Sequence, residues 1–121
     1  MAAILLVEDD DSVRTFTARA LTIDGHTVEL AEDGDIGLAK LTERAGAYDL
    51  VLSDIRMPAM DGIAMATEMA KDFPDLKILL MTGYAEQRER AREVTQIIVD
   101  VVQKPFTLAQ IRAAVAKALA A

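Results

Sequence analysis

The sequence predicts an α/β protein in which five parallel strands alternate with five helices. Two observations support this prediction: short apolar runs recur along the chain, and the segments between them have helical spacing. Four compact runs are rich in Leu or β-branched residues, which suits strands buried on both faces of a parallel sheet. These runs are Ala3–Val7, 48–53, 76–82 and 97–102. A fifth run, Thr27–Ala31, alternates more and is expected at a sheet edge.

The intervening segments predict amphipathic helices on both faces of that sheet. The spacing of three and four is carried by Val13, Phe16, Thr17, Ala20 and Leu21, and more loosely by Ile36, Leu38, Leu41 and Ala45. Three further helices are expected over 63–72, 86–95 and 108–119, and candidate caps at or near the helix starts are Ser12, Asp33, Asp61 and Thr107. We therefore expect a single domain over residues 1–121.

Composition narrows the class of protein. The net charge of −7 argues against an extended contact with nucleic-acid phosphates, so direct DNA binding is not expected. The apolar amino terminus is cut off by acids at 8–11 and is too short for a membrane span, so no membrane contact is expected. Cysteine is absent, which permits a reducing compartment, and we expect a cytoplasmic protein.

Ionisable or hydroxyl side chains follow four of the predicted strands. Glu8 and Asp9 follow the first, Asp54 the third, Thr82 the fourth and Lys104 the fifth. In parallel α/β sheets the binding and catalytic residues lie at the carboxyl ends of the strands. An acidic run is by itself typical of a solvated turn, and Asp10 and Asp11 are interpreted as favourable charges at a helix start. Because Glu8, Asp9 and Asp54 all stand at the carboxyl ends of predicted strands, we predict that they form one site.

Crowded carboxylates would repel one another unless a cation entered between them. A few oxygen ligands favour Mg²⁺, which keeps waters and completes its shell with phosphate oxygens. Asp54 ends a fully apolar strand, so its carboxylate is held rigidly and is the candidate nucleophile toward phosphorus. The Lys104 ammonium and the Thr82 hydroxyl are suited to stabilise charge on the transferred phosphoryl group.

Four motifs fall in order along the chain: LLVEDD at 5–10, SDIRMPAMDG at 53–62, MTG at 81–83 and KPF at 104–106. Together they resemble the receiver domains of bacterial two-component response regulators, of the chemotaxis-receiver type. The resemblance covers essentially the whole chain, and the second motif is highly specific even alone. It implies a (βα)₅ flavodoxin-like three-layer sandwich with strand order 2-1-3-4-5. It also implies a phosphorelay in which a histidine kinase or histidine phosphotransferase donates the phosphoryl group.

The resemblance also implies roles for individual residues. Asp9 is expected to bind Mg²⁺ directly and Glu8 partly through water, while the Arg56 main-chain carbonyl supplies a further ligand. Asp54 is the implied phosphoacceptor and a metal ligand. Thr82 and Lys104 are the implied switch hydroxyl and phosphate-binding amine, the latter before a cis Pro105.

The chain departs from the family pattern at two positions. Val101 stands three residues before Lys104, where many members carry a switching Tyr or Phe, so coupling to Thr82 requires another partner. Tyr84 is our candidate for that partner. Gly83, directly after Thr82, is expected to loosen the loop.

Output is expected to occur by contact with an effector protein, because the sequence ends after the fifth helix. The family signals through helix 4, strand 5 and helix 5. On that surface we place Arg88, Arg90 and Arg92 on the fourth helix and Ile111, Val115 and Leu119 on the fifth. The TGY and KPF segments are similar to small alphaproteobacterial single-domain regulators that control protease delivery in the cell cycle.

Other functions remain open at this point. Within the family, the chain could be a phosphate sink or a pseudo-receiver that binds partners without accepting phosphate. A haloacid-dehalogenase-like phosphohydrolase is disfavoured because it needs a second Asp two residues after the nucleophile, where Arg56 stands. A flavodoxin-like cofactor binder is disfavoured because acids occupy the loop that would hold phosphate. We expect no enzymatic activity beyond the chain's own phosphorylation and dephosphorylation.

Overall fold

The computed structural model describes residues 1–121, apart from the side chains of Ala85 and Glu86. Strands and helices alternate along the chain. The strands are β1 (Ala3–Val7), β2 (Thr27–Ala31), β3 (Leu50–Asp54), β4 (Ile78–Thr82) and β5 (Asp100–Gln103). The helices are α1 (Asp11–Ile23), α2 (Gly34–Glu43), α3 (Gly62–Asp72), α4 (Ala85–Ala91) and α5 (Leu108–Ala120). A 3₁₀ turn at Arg92–Val94 follows α4.

All strands pair in parallel in the order β2-β1-β3-β4-β5, which confirms the predicted fold and strand order. β1 and β3 lie inside the sheet, and the more alternating β2 lies at an edge, as expected. The registers Val7↔Ser53 and Thr82↔Gln103 bring the carboxyl ends of the strands to one edge. The loops that carry the predicted site therefore meet there.

Successive residues of β1 face opposite sides of the sheet and enter different cores. Leu5 and Val7 belong to an apolar cluster beneath α2, α3 and the 3₁₀ turn, whereas Ile4 and Leu6 belong to a cluster beneath α1 and α5. Each of these four side chains has no exposed surface. The sheet is thus the middle layer of a three-layer sandwich.

Helix starts follow local capping chemistry. The predicted caps Asp33, Asp61 and Thr107 each accept a hydrogen bond from a backbone N–H in the first turn of their helix. The prediction of Ser12 for α1 was wrong, because the Asp10 carboxylate accepts from the Val13 N–H at 2.9 Å and the helix begins one residue earlier.

The fifth strand and the fourth helix differ from their predicted bounds. The run 97–102 reads as one strand, yet the Ile97 and Ile98 amides bond back to the Val94 carbonyl and extend the preceding turn. β5 consequently begins at Asp100. The predicted helix 86–95 begins slightly earlier and changes to 3₁₀ geometry at Arg92.

The apolar residues predicted for the output surface of α5 are not available there. Ile111 and Val115 are buried in the cluster beneath α1 and α5, and Leu119 packs against it. Arg88 and Arg90 lie on α4 as predicted, whereas Arg92, predicted on the same helix, begins the 3₁₀ turn; the three side chains are exposed. None of the helices formed by the described residues has the length and apolar run that crossing a bilayer needs.

Candidate functional site

A cleft of about 930 Å³ lies at the carboxyl edge of the sheet. Its polar lining includes residues at the ends of three strands: Glu8, Asp9, Asp54, Arg56 and Lys104. Its apolar lining includes Val13, Phe16, Met57, Pro105 and Phe106. The structure therefore brings the predicted acids and the lysine together in one concave site. Among the described residues, Thr82 does not line this cleft.

The two acids after β1 have different environments. The Glu8 backbone N–H donates to the Ala31 carbonyl at 3.0 Å, which continues the pairing with β2 and draws Glu8 into the interior. Its side chain has no exposed surface, whereas Asp9 is exposed at the mouth of the cleft. Arg14 donates to the Glu8 carbonyl at 2.8 Å and holds the loop. One acid is thus fixed and the other is free to approach an ion.

Lys104 lies between two carboxylates. Its Nζ is 2.6 Å from Glu8 Oε1 and 3.1 Å from Asp54 Oδ2. Burial raises the pKa of the Glu8 carboxyl to about 7, although the hydrogen bond from Lys104 opposes this increase. Burial would by itself lower the pKa of Lys104, but the hydrogen bond to Glu8 and the charge of Asp54 raise it above its usual value. The lysine is therefore a permanent cation at the base of the site.

Asp54 is held by the close approach of α3 to the end of β3. A Cβ on Gly62 would lie 2.2 Å from the Asp54 carbonyl oxygen, so only glycine permits this contact. The Gly62 N–H donates to the Ile55 carbonyl at 2.7 Å, and the Ser53 hydroxyl donates to the Asp54 carbonyl at 2.9 Å. The backbone of Asp54 is therefore fixed from two sides while its side chain faces the cleft.

The Thr82 hydroxyl is directed toward α4. The Tyr84 N–H donates to Thr82 Oγ1 at 3.1 Å. The hydroxyl proton has two acceptors within reach, Gln87 Oε1 at 3.1 Å and the Tyr84 carbonyl at 3.2 Å. In this structure the Thr82 hydroxyl is therefore hydrogen-bonded to residues at the start of α4.

Arg56 and Tyr84 meet across the cleft. The Arg56 guanidinium lies 5.0 Å from the centroid of the Tyr84 ring, which is the geometry of a cation–π contact. Tyr84 is 46% exposed. Its ring therefore contacts the loop after β3, while its backbone contacts Thr82. The role of the Arg56 carbonyl as a metal ligand stays a prediction.

The donor set fits a hard divalent ion. Glu8, Asp9 and Asp54 each offer a carboxylate oxygen, and these oxygens lie within 4.8 Å of one another. Three carboxylates face a single ammonium, so the site has an excess of negative charge for a cation to neutralise. All-oxygen ligands from few carboxylates suit Mg²⁺. The residues present are therefore compatible with the predicted ion.

Comparison with known proteins identifies the family. Residues 4–116 match the family model described as "Response regulator receiver domain". The chain belongs to the response-regulator receiver family. The resemblance inferred from the four motifs is thereby confirmed.

The chain matches one curated relative along most of that protein's length and two others over less than a quarter of theirs. The chain is 37% identical to the response regulator receiver protein CpdR of Brucella abortus, over 89% of this chain and 88% of that protein. It is 38% identical to the sensor kinase CckA of Brucella abortus over 98% of this chain, but it spans only 12% of that protein. It is 34% identical to NtrC of Salmonella typhimurium over 96% of this chain and spans 24% of that protein.

Solved receiver structures share the whole fold. A receiver domain from Clostridium thermocellum superimposes with a TM-score of 0.89 at 25% identity, covering 99% of this chain and 95% of the other. TrrA of Thermotoga maritima, solved in complex with Mg²⁺ and BeF, superimposes with a TM-score of 0.87 at 32% identity, covering 98% and 99%. The receiver fold is thus shown by sequence and structure together.

Sequence reasoning missed Gln87 as a contact of the predicted switch hydroxyl. A signal was present, because a Gln at the third position of a helix is the residue type that reaches back toward the helix start. The signal was hidden because the Thr stands two residues before the cap position rather than on it. The Lys104–Pro105 peptide bond is cis, as the resemblance implied.

Proposed function

We propose that this receiver is the phosphoryl-accepting switch of a two-component phosphorelay, with Asp54 as its acceptor. The observation that carries the proposal is the convergence of Glu8, Asp9 and Asp54 in one cleft, with the Lys104 ammonium between Glu8 and Asp54. The donor is a phosphohistidine on a histidine kinase or histidine phosphotransferase. A cytoplasmic location accords with this role and stays a prediction.

Mg²⁺ is the proposed cofactor. Glu8, Asp9, Asp54 and the main-chain carbonyl of Arg56 would hold it, and it would supply positive charge against the phosphoryl oxygens. Support comes from the three carboxylate oxygens that lie within 4.8 Å of one another. The similar receiver TrrA was solved with Mg²⁺ and BeF bound.

The chain's own residues account for the transfer step. An Asp54 carboxylate oxygen attacks phosphorus, the phosphorus–nitrogen bond of the phosphohistidine breaks, and the imidazole leaves with its electron pair. The Lys104 ammonium, already 3.1 Å from Asp54, compensates the charge on the phosphoryl oxygens. The receiver is consumed stoichiometrically, so we propose that it is not an enzyme acting on other substrates.

Output is proposed to occur through the surface formed by α4, β5 and α5. Thr82 moves toward the phosphoryl group, and the loop before α4 follows it. On this surface the exposed Arg88 is offered to an effector protein, whereas Arg90 and Arg92 pair with Asp61 and Glu89. Similarity to CpdR along most of both chains supports a contact-mediated output, and regulated proteolysis in the cell cycle is the process we propose for it.

The alternative is a receiver that does not signal through phosphate, either a pseudo-receiver or a phosphate sink. A sink shares every residue of the site and differs only in lacking an effector. The complete acid cluster favours a phosphate-accepting receiver over a pseudo-receiver, because a module without phosphate chemistry gains nothing from a buried Glu8 beside Asp54.

Intact-protein mass after incubation with acetyl phosphate tests the proposal. We expect wild type to gain the mass of one phosphoryl group only when Mg²⁺ is present, and Asp54→Asn to gain none. Asp75→Asn, at an exposed loop position, is the matched control and should behave as wild type. A wild-type chain that neither gains mass nor binds beryllofluoride in Mg²⁺ would establish the pseudo-receiver alternative.

A further inference from the structure

The amino terminus of α4 lacks a capping side chain of its own. Tyr84 occupies the cap position and makes no side-chain capping bond within the described part of the chain. Helix starts leave backbone N–H groups without intrahelical partners, so another acceptor is needed there. The Thr82 hydroxyl supplies it by accepting from the Tyr84 N–H at 3.1 Å.

The same chain contains a standard cap for comparison. At α5, the Thr107 hydroxyl accepts from the Gln110 N–H at 3.1 Å, and Gln110 Oε1 accepts from the Thr107 N–H at 2.8 Å. α4 carries the same third-position residue, Gln87. Its side chain reaches instead to the Thr82 hydroxyl, 3.1 Å away and two residues before the cap position. A single hydrogen bond between the two side chains thus stands where α5 has a reciprocal pair, and the threonine lies at the end of β4.

We propose that Gln87 is a positioning residue that holds the Thr82 hydroxyl in the unphosphorylated state, so that Thr82 acts as a surrogate cap of α4. This inference rests on the proposed function of Asp54. A hydroxyl has one proton, and Gln87 is one of the two acceptors within its reach. When the phosphoryl group attracts that proton, the Gln87 side chain and the Tyr84 N–H lose their partner. The first turn of α4 is uncapped in the same step.

This arrangement explains how the switch operates with Val101 in place of an aromatic residue. Val101 is half-buried and carries no polar atom on its side chain, so it cannot follow Thr82 by hydrogen bonding. Gln87 lies on α4 itself and links the hydroxyl directly to the helix. The coupling therefore needs no rotating ring on β5.

Equilibrium binding of beryllofluoride in Mg²⁺ measures the effect, read from the amide signals of Thr82 and its neighbours. Gln87→Met keeps the length of the side chain and loses the hydrogen bond, so the resting state is destabilised relative to the bound state. We expect beryllofluoride to bind Gln87→Met about fivefold more tightly than wild type, the factor for one neutral hydrogen bond. Exchange of the Arg88 amide, which donates to the Tyr84 carbonyl, should also be faster in unliganded Gln87→Met.

Two further variants separate a positioning role from a structural one. Gln87→Glu retains an acceptor for the hydroxyl, so the gain in affinity should disappear. Gln96→Met makes the same chemical change at an exposed position and should bind as wild type does. Equal affinity of Gln87→Met and wild type would overturn the positioning role while leaving the proposed function intact. Failure of wild type itself to bind would instead overturn both.

Discussion

Lys104 is the residue on which the resting site depends. Its side chain is 18% exposed, and its ammonium contacts a Glu8 side chain that has no exposed surface. A buried carboxylate without a partner is strongly unfavourable, so the lysine neutralises the site in the absence of an ion. The same contact means that an entering cation competes with Lys104 for Glu8.

Replacement of Lys104 should therefore expose both effects. We expect Lys104→Met to lower the free energy of unfolding by about 3 kcal/mol without Mg²⁺, the loss for removing one member of a buried pair. Mg²⁺ should restore more stability to this variant than it adds to wild type. Urea unfolding with and without Mg²⁺ measures both, with the exposed Lys117→Met as control. Equal stability of Lys104→Met and wild type in both conditions would contradict the assigned role.

Among the elements, the junction between β3 and α3 determines where Asp54, the proposed phosphoacceptor, lies. Gly62 begins α3 directly against the carbonyl of Asp54, and Asp61 caps the same helix while it contacts α4 through Arg90 at 2.7 Å. The short segment that contains Asp61 and Gly62 therefore connects β3 to α3 and α4.

Substitution of Gly62 tests this close approach. We expect Gly62→Ala to cost about 3 kcal/mol, because its Cβ would lie 2.2 Å from backbone oxygen that has no room to move. Gly83→Ala is the matched control, since its Cβ would meet only the Lys104 Cβ at 3.8 Å. Thermal unfolding compares the two variants. If both lose the same stability, the contact is not what demands glycine at 62.

Asp61 makes the free energy of unfolding depend on pH. Burial would raise the pKa of Asp61, but the hydrogen bonds from the Ala64 N–H and Arg90 lower it below its ordinary value of 3.8. A lowered pKa stabilises the folded state above the unfolded value, and that contribution disappears as the pH falls through the folded value. We expect Asp61→Asn to be about 1 kcal/mol less stable than wild type at pH 7.

Urea unfolding between pH 7 and pH 2 measures this difference. The gap between wild type and Asp61→Asn should close in the acidic part of the range, because protonated Asp61 and Asn both cap without charge. Arg92→Gln, at an exposed position, serves as control. A gap that stays constant down to pH 2 would show that the charge of Asp61 contributes nothing.

The alternating elements, the layers and the acid cluster could be predicted because each depends on a local pattern: apolar runs, helical spacing and ionisable residues at strand ends. The strand order was implied only by the resemblance to receivers. The start of β5 could not, because Ile97 and Ile98 are as β-branched as a strand requires. Their amides nevertheless donate to the Val94 carbonyl, because the preceding turn places that carbonyl within their reach. The contact between Thr82 and Gln87 was missed, because the signal at the third helix position does not show how α4 is placed over β4.

The whole molecule has a net charge of −7, and three of its acidic side chains, Glu8, Asp9 and Asp54, lie together in one cluster. If Mg²⁺ binds there as proposed, it stabilises the folded state by mass action, since the cluster exists only when β1 and β3 are paired. We expect about 1.4 kcal/mol at a concentration ten times the dissociation constant. The midpoint of thermal unfolding should then rise by about 5 °C.

Differential scanning calorimetry with increasing Mg²⁺ checks this expectation. Asp9→Asn should lose most of the increase, because Asp9 contributes one of the three oxygens. Asp11→Asn removes the same charge outside the cluster and should retain the increase. If both variants show the same rise in unfolding temperature, Mg²⁺ acts by general screening of negative charge and not by binding at the cluster.

The division of the core by the sheet has a consequence for how such a protein changes during evolution. Leu5 and Val7 pack on one side, and Ile4 and Leu6 on the other, so the sheet separates the two apolar clusters. Substitutions at separated sites with no shared partners add in their effects. The packing residues beneath α2, α3 and the 3₁₀ turn can therefore change in evolution without disturbing the packing beneath α1 and α5.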